Sequence, residues 1–456
     1  MNLSPAQIAA ALRAEVVAEG ADESPRRATI NSAEAGPGDL FFGLRGEKRD
    51  GGEFAAAAIE AGAWGVVVSP AWRSSLDRYS RPKDERRPWI FVVEDPLAAM
   101  HSLAREYRRA LGARVVGVTG SVGKTSVKDI ARALLPGKVH ANPQNFNTEI
   151  GLPLTILEAP GDTDVLVLEM AMRGKGQIAE LAAIAEPEVA VITNVGPVHV
   201  ELLGSVEAIA AAKAEILDDL PPGSTAVAPV EAGALEPHLE PLAELLRFGS
   251  SGDVEATEVR VDEGVTEALV CTPLGNQRFH FPFTESHNLT NALAAIAAGV
   301  ALGADLAEMA DRAADIGFSR FRGERLELPG GIVLVNDCYN ANPVSMRAAL
   351  DHLATLDAER SVAVLGEMGE LGPDSARYHR EVGEHARAAG IDFVIGVGLP
   401  AREYGPDELV ADPGEAAELL AARLEPHDAV LVKGSRSAGL EAVAEQLPQL
   451  VEAGDG

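Results

Sequence analysis

Cysteine is nearly absent: Cys271 and Cys338 are the two in 456 residues, far apart and in no metal-ligand or redox spacing. That argues against a disulfide framework and suits a reducing compartment. Basic residues are scarce too, 39 Lys and Arg against 69 Asp and Glu, for a net charge of -30. Such a field opposes broad association with nucleic-acid phosphates or anionic lipid, so an anionic ligand would need a local site that overcomes it. No stretch approaches 18 uninterrupted apolar residues, and MNLSPAQIAAALRAEVV lacks a basic region followed by a long apolar one. The expectation is therefore a soluble cytoplasmic protein without membrane insertion. Aromatics make up only 4%, and there is no repeat of fixed period and no low-complexity tract.

What is present is ordinary globular usage, 46% hydrophobic and 24% charged, in a chain long enough for two or three domains. Residues 1–95 carry short apolar runs, Trp64–Val68 and Trp89–Val93, that predict a small α/β domain. Between them the polar stretch Arg73 to Pro88, with Pro82 inside it and Pro70 before it, predicts an exposed loop. A helical pattern over Pro96–Leu111 leads to the strand Arg114–Val118 and a glycine-rich turn, the opening of a nucleotide-binding α/β unit. Runs at Val165–Leu168 and Val189–Thr193 extend a parallel sheet as far as a helix around Asn288–Leu302, making a central domain over 96–316. From Gly317 to 456 the runs Ile332–Val335, Ser361–Leu365, Phe393–Val397 and Ala429–Val432 predict another doubly wound, Rossmann-like unit.

The strongest chemical motif is Val115-Val-Gly-Val-Thr-Gly-Ser-Val-Gly-Lys-Thr-Ser126, a strand running through a glycine-rich loop into a helix. Loop N–H groups and the positive helix end suit phosphate oxygens, Lys124 suits the β/γ phosphates and the Thr125 hydroxyl suits magnesium. Val118 stands where the general phosphate loop has its first glycine, and a plain strand-to-helix turn is the bland alternative. Glu169 ends an apolar strand at the sheet edge where ligands collect, and is either a magnesium ligand or a helix cap or partner of Arg173. His199 follows another strand and is a second candidate ligand or an ordinary loop contact. Lys213 falls inside the apolar stripe Val206, Ile209, Ile216 and Leu217, so it must snorkel, find a partner or lose its charge. Asn288 and Asn291 share a helix face and can read a base edge, or Asn288 can cap the helix. Asp337, Tyr339 and Asn340 cluster at a strand end, as ligand contacts or as turn chemistry.

In this order the segments resemble the Mur ligase family over nearly the whole chain: Thr119–Thr125, Asn145-Phe-Asn-Thr-Glu-Ile-Gly-Leu-Pro153, Leu168-Glu-Met170, the His199 loop, the Lys213 helix, His287-Asn288 and Asn336–Asn342. Val364–Gly372 and Lys433-Gly-Ser-Arg-Ser437 are similar to the family members that add D-alanyl-D-alanine, and the Asp-Asn-Pro-Arg signature of the diaminopimelate-adding members is absent. The resemblance implies ATP and Mg2+, with ATP held by Gly120, Ser121, Val122, Gly123, Lys124, Thr125 and Ser126. It places Asn288 and Asn291 on the adenine side, with Arg325, Asp337 and Asn340 closing from the last domain; Arg322 is a rival for Arg325. Metal would be held by Thr125, Glu169, His199 and Lys213, the last as a carbamate.

Pro37–Phe42 and Asp50–Gly52 resemble the family's uridine-binding first domain, which implies substrate contacts at Ser32 and Asp50, although Ala33 and Glu34 follow Ser32 where the family often has arginine. Further substrate contacts are implied at Asn147, Thr148, Tyr339, Lys433 and Arg436. The implied substrates are small molecules, UDP-N-acetylmuramoyl-tripeptide and D-alanyl-D-alanine, on a monomeric enzyme. Rivals of the same architecture are diaminopimelate- or lysine-adding, folylpolyglutamate and cyanophycin-type ligases. A rival of another class is a P-loop regulatory NTPase, against which stands the lack of an Asn-Lys-x-Asp guanine-reading segment.

Overall fold

The computed structural model describes residues 1–454 except 80–86, 144, 199, 241, 243 and 263, so the expected metal ligand His199 lies outside the described residues. The chain forms mixed α/β units on three main sheets. The first sheet holds β1 (Glu15–Ala18), β2 (Arg27–Thr29), β3 (Asp39–Phe42), β4 (Gly65–Val68) and β5 (Trp89–Val92), in the order β1-β5-β4-β3-β2. Only the β1 pairing is antiparallel. β3, β4 and β5 are buried at every position, as continuous apolar strands covered on both faces must be. Leu40, Phe42 and Val67 face one core while Phe41, Val66 and Val68 face another.

The helix Pro96–Leu111 is cut by its sequence: the Asp95 carboxylate accepts the N–H groups of Leu97 and Ala98, Pro96 sits in the first turn and Gly112 ends it in the left-handed conformation. Its buried Met100, Leu103 and Tyr107 join the first sheet to the second in one apolar cluster. The second sheet comprises β6 (Arg114–Thr119), β7 (Val139–Ala141), β8 (Val165–Glu169), β9 (Val189–Ile192), β10 (Thr225–Pro229) and β11 (Leu245–Phe248), ordered β11-β10-β9-β6-β8-β7. It is parallel throughout. Because β8, β6 and β9 are neighbours, with Val118 opposite Glu169 and Thr119 opposite Ile192, three strand ends reach one edge side by side.

Two expectations need correction here. The polar stretch after Pro70 is not simply a loop: Pro70–Tyr79 winds as a 3-10 helix that buries Leu76, and 80–86 lie outside the described residues. The central unit is also not parallel throughout, for β12 (Glu255–Asp262), β13 (Val265–Thr272) and β14 (Gly275–Phe281) form an antiparallel sheet. It packs the stacked rings of Phe279, Phe281 and Phe283 into the same cluster as the long helix Ser286–Ala301. The last sheet, β15 (Glu324–Leu328), β16 (Ile332–Asn336), β17 (Arg360–Leu365), β18 (Phe393–Val397), β19 (Glu408–Val410) and β20 (Asp428–Lys433), runs β15-β16-β20-β17-β18-β19. Its edge strand β15 is antiparallel and the others are parallel. No described helix is long and apolar enough to cross a membrane.

The first sheet is keyed by one carboxylate. Asp39, at the head of β3 and fully buried, accepts Arg27 Nε at 3.2 Å and Nη2 at 3.1 Å, Arg26 Nη2 at 3.2 Å and the Gly36 N–H at 3.0 Å. It thereby sets the turn that carries Ser32. Burial pushes this carboxyl up, and the bonds from Arg27, Arg26 and Gly36 outweigh it and hold the pKa below the ordinary value. Asp39→Ala should lower stability by about 2 kcal/mol at neutral pH. A depressed native pKa stabilises fully above the unfolded value, about 3.9, and that contribution is lost as pH falls through the native value. Denaturant titrations of the two proteins should therefore differ at pH 7 and converge in strong acid; equal stability at pH 7 would refute the assignment.

Candidate active site

β6 ends at Thr119, and the chain then turns through Gly120 at φ 150° and Gly123 at φ 83°. A Cβ at Gly120 would stand 1.9 Å from Thr193 Oγ1, and one at Gly123 would stand 2.4 Å from Asn291 Oδ1. Both positions thus require glycine, for close approach as well as for conformation. Gly123 is the N-cap of the helix Lys124–Leu134 and offers no side-chain cap, so the helix presents its first N–H groups and positive end to the loop. The segment after β9 braces the loop: the Ser121 N–H donates to the Asn194 carbonyl at 3.0 Å and the Val122 N–H to Asn194 Oδ1 at 2.9 Å. Ser121 Oγ accepts the Gly196 N–H at 2.9 Å. Asn194 escaped sequence reasoning, since a lone loop asparagine carries no periodicity.

Lys124 turns its ammonium back on the loop carbonyl of Gly120 at 2.9 Å. Burial pushes its pKa down, Glu169 pulls it up and Arg322 pushes it down again. Lys213 comes from the helix Val206–Ala214, whose N-cap is Ser205, and its Nζ donates to the same Gly120 oxygen at 2.7 Å. With 2% exposure it does not snorkel. Burial, and then the Lys124 charge, lower its pKa well below the lysine value.

Glu169 neither caps a helix nor pairs with Arg173, which faces Glu370 at 3.9 Å. Its carboxylate accepts Thr125 Oγ1 at 2.8 Å and Asn147 Nδ2 at 2.9 Å. Thr125 and Glu169 are both buried oxygen donors beside the loop, a set that suits a hard divalent cation completing its shell with phosphate oxygens and water. Among the described residues no three of His, Cys, Asp or Glu converge into a cage of their own.

The helix Ser286–Ala301 has Glu285 as its N-cap, so Asn288 is not the cap. Asn291 Nδ2 donates to Asn288 Oδ1 at 3.3 Å, and Asn291 borders Gly123. Of the two arginines, Arg322 lies nearer the loop: its charge is felt by Lys124, its guanidinium covers the Tyr339 ring at 4.1 Å and its buried Nε has no partner among the described residues. Arg325 is exposed on β15 beside His352.

Lys433 joins the Asp337 cluster. It is 2% exposed and its Nζ is held by Asp337 Oδ2 at 2.6 Å and the Asn340 carbonyl at 3.1 Å, so that it supports Asp337. Asn340 Oδ1 accepts the Ala341 N–H at 2.8 Å. Ser126 is half-buried in the first turn after the loop and Thr148 is exposed. Ser32 is half-buried in the turn set by Asp39, Asp50 caps the turn Gly51–Phe54 through the Gly52 N–H at 2.9 Å, and Arg436 faces Glu441 at 3.3 Å. These last belong to the first and third units.

The sequence matches three family models: "Mur ligase family, catalytic domain" over residues 27–108, "Mur ligase middle domain" over 118–299 and "Mur ligase, glutamate ligase domain" over 321–436. It is 38% identical to the UDP-N-acetylmuramoyl-tripeptide--D-alanyl-D-alanine ligase of Synechocystis sp., over 90% of this chain and 89% of that one. The fold is similar to MurF from Acinetobacter baumannii, with a TM-score of 0.85, 28% identity and 97% and 98% of the two chains covered. It is similar as well to MurF ligase from Thermotoga maritima in complex with ADP, at 0.82 and 31% identity, covering 94% and 98%.

Gly123→Ala tests the loop directly. The protein should fold, yet bind ADP at least about tenfold more weakly, the equivalent of about 1.4 kcal/mol, because the added methyl displaces Asn291 and strains the turn. Calorimetric titration that returns wild-type affinity would show that the loop does not depend on this approach.

Proposed function

The chain belongs to the Mur ligase family, and from that premise we infer that it joins D-alanyl-D-alanine to UDP-N-acetylmuramoyl-tripeptide, using ATP, in peptidoglycan precursor synthesis. The observation that carries the reading is the glycine loop with Lys124, Thr125 and Glu169 converging on it, in a chain that aligns along most of its length with ligases of that name. A regulatory NTPase gives way to it, because family membership brings an enzyme with a product.

A carboxylate condenses poorly with an amine in water because its oxygen is a bad leaving group. Phosphorylation removes that obstacle: a tripeptide carboxylate oxygen bonds to the γ-phosphorus as the bond to ADP breaks, and the dipeptide amine then attacks the acyl carbon, losing a proton and expelling phosphate. Lys124, with the loop N–H groups and the helix start, neutralises charge on the transferring group. Thr125 and Glu169, together with His199 and Lys213, would hold magnesium, which when bound supplies further positive charge to the phosphate oxygens. Arg322 and Asp337, the latter set by Lys433, approach from the third unit, whose closure excludes water from the acyl phosphate.

We assign residues 1–95 to the uridine end of the substrate through Ser32 and Asp50, 96–316 to ATP, and 317–456 to the dipeptide, in a monomeric cytoplasmic enzyme. Asn147 and Thr148 face the muramoyl peptide, and Tyr339 and Arg436 the incoming dipeptide.

Incubation with UDP-N-acetylmuramoyl-tripeptide, D-alanyl-D-alanine and ATP should yield the pentapeptide nucleotide by mass analysis, one per ADP. Product with diaminopimelate or lysine, and none with the dipeptide, would overturn the acceptor. Lys124→Ala should fold normally and lower the rate by about 10³-fold or more, the scale of a lost transition-state contact; near-normal turnover would remove Lys124 from the chemistry.

Lys213 is proposed to act as its carbamate. Burial and the Lys124 charge disfavour the Lys213 ammonium, and the neutral amine is the form whose nitrogen adds to carbon dioxide, releasing a proton to solvent and leaving an anionic oxygen pair on the side chain. Lys213→Arg and Lys213→Ala should both lose most activity while keeping their fold, and removal of carbon dioxide should slow the wild type reversibly. Wild-type turnover by Lys213→Arg would refute it.

A further inference from the structure

A chain of buried polar contacts leads away from Glu169, and the chemistry above leaves it unused. Asn142, buried, clamps the Glu169 backbone twice: the Glu169 N–H donates to Asn142 Oδ1 at 2.8 Å, and Asn142 Nδ2 donates to the Glu169 carbonyl at 2.9 Å. The Asn142 carbonyl accepts Lys128 Nζ at 3.0 Å. Lys128 is buried and pairs with buried Asp129 at 3.1 Å. Asp129 Oδ2 in turn accepts both the N–H of Ser319 at 2.9 Å and its hydroxyl at 2.7 Å. Ser319 belongs to the segment that connects the central unit to β15, the first strand of the last sheet.

The helix Lys124–Leu134 makes this path short. Thr125 and Asp129 are four residues apart and Thr125 and Lys128 three, so all three lie on one face. At one end of that face the Thr125 hydroxyl meets the Glu169 carboxylate; one turn later Lys128 reaches the asparagine that fixes the Glu169 backbone, and Asp129 reaches the connecting segment. A buried ion pair is a poor source of net stability, since desolvation offsets most of its attraction. Held by the Asn142 carbonyl on one side and by Ser319 on the other, it is well suited to fixing a geometry.

We propose that Lys128 and Asp129 are positioning residues of the phosphoryl-transfer site, which set the seat of the third unit and the placement of Glu169 together. The inference rests on the ligase reading. When the connecting segment is docked on Asp129, Lys128 is held against Asn142 and Glu169 stays where Thr125 and Asn147 meet it. When the segment leaves, the pair loses its outer anchor and Glu169 is freer to move.

The test uses the full-length enzyme. Lys128→Gln with Asp129→Asn removes both charges at once and keeps hydrogen-bonding groups at both positions, so no lone charge is buried. Ser319→Ala removes only the hydroxyl end of the chain and leaves the core untouched. For the double variant kcat should fall about tenfold or more, the range expected of a small misplacement, with KM for the nucleotide precursor and the dipeptide unchanged. ADP titrated without magnesium should bind it as it binds the wild type, and the gain in affinity on adding magnesium should be lost.

Ser319→Ala should lower kcat by about threefold, and combined with Asp129→Asn it should add little, as members of one chain are non-additive. Wild-type kcat in both variants would overturn the proposal. So would an equal loss of every ligand, with or without magnesium, which is what a loosened domain gives. If the double variant does not fold, additivity of Ser319→Ala with Asp129→Asn would overturn it and non-additivity would support it. A wild-type enzyme that makes no pentapeptide product sinks the ligase reading instead, and the magnesium-dependent ADP titration still decides the fate of the pair.

Discussion

Two lysine nitrogens share one carbonyl oxygen: the Nζ atoms of Lys124 and Lys213 reach the Gly120 carbonyl at 2.9 Å and 2.7 Å. Two cations on a single acceptor would repel, and that repulsion together with burial disfavours the charged form of Lys213. The arrangement holds because each lysine is anchored by its own helix and neither helix can retreat without opening the core beneath it. Most other features of the centre follow from this crowding. Glu169 is the carboxylate whose attraction offsets the charge of Lys124, and Arg322 adds to the positive excess. A protein with a net charge of -30 therefore keeps a small interior region in which a polyphosphate is the natural counterion.

The parallel topology delivers these groups with little freedom. β8, β6 and β9 are adjacent, so Glu169 as the last residue of β8, and the loop and Thr193 with Asn194 just past the ends of β6 and β9, stand in a row at the carboxyl edge. Asn194 then spends its side chain on the Val122 N–H, and Asn142 spends its own on Glu169. The asparagines act as fragments of backbone placed where no strand can run, and they leave the loop stiff before a ligand arrives.

Much of this was legible in the chain. Fully buried strands such as Val165–Glu169 announce themselves as apolar runs, and a carboxylate at the end of one is conspicuous for that reason. Lys213 was visible because it interrupts an apolar stripe. The supporting amides were not, since Asn142 and Asn194 derive their meaning from a partner 27 or 72 residues away. The antiparallel sheet β12–β14 was missed because β12 is mostly exposed and reads as a polar linker. Arg322 and Arg325 could not be told apart by spacing; Phe321 at φ 64° turns the chain just before β15, and that turn decides which arginine faces Tyr339. Lys433 looked available because sequence records its charge and not the carboxylate that occupies it.

The rings of Trp64, Trp89 and Phe91 lie stacked at centroid distances of 5.6 to 6.1 Å, and the indole N–H groups of Trp64 and Trp89 tie down the carbonyls of Glu23 and Ala21. The third tryptophan, Trp72, lies against Gly52 in the same unit. Every indole in the chain is thus gathered in the first α/β layer, and the nucleotide loop and the last sheet have none. Tryptophan emission, excited selectively beyond the tyrosine band, is in effect a local optical gauge of that layer and reports on its packing alone.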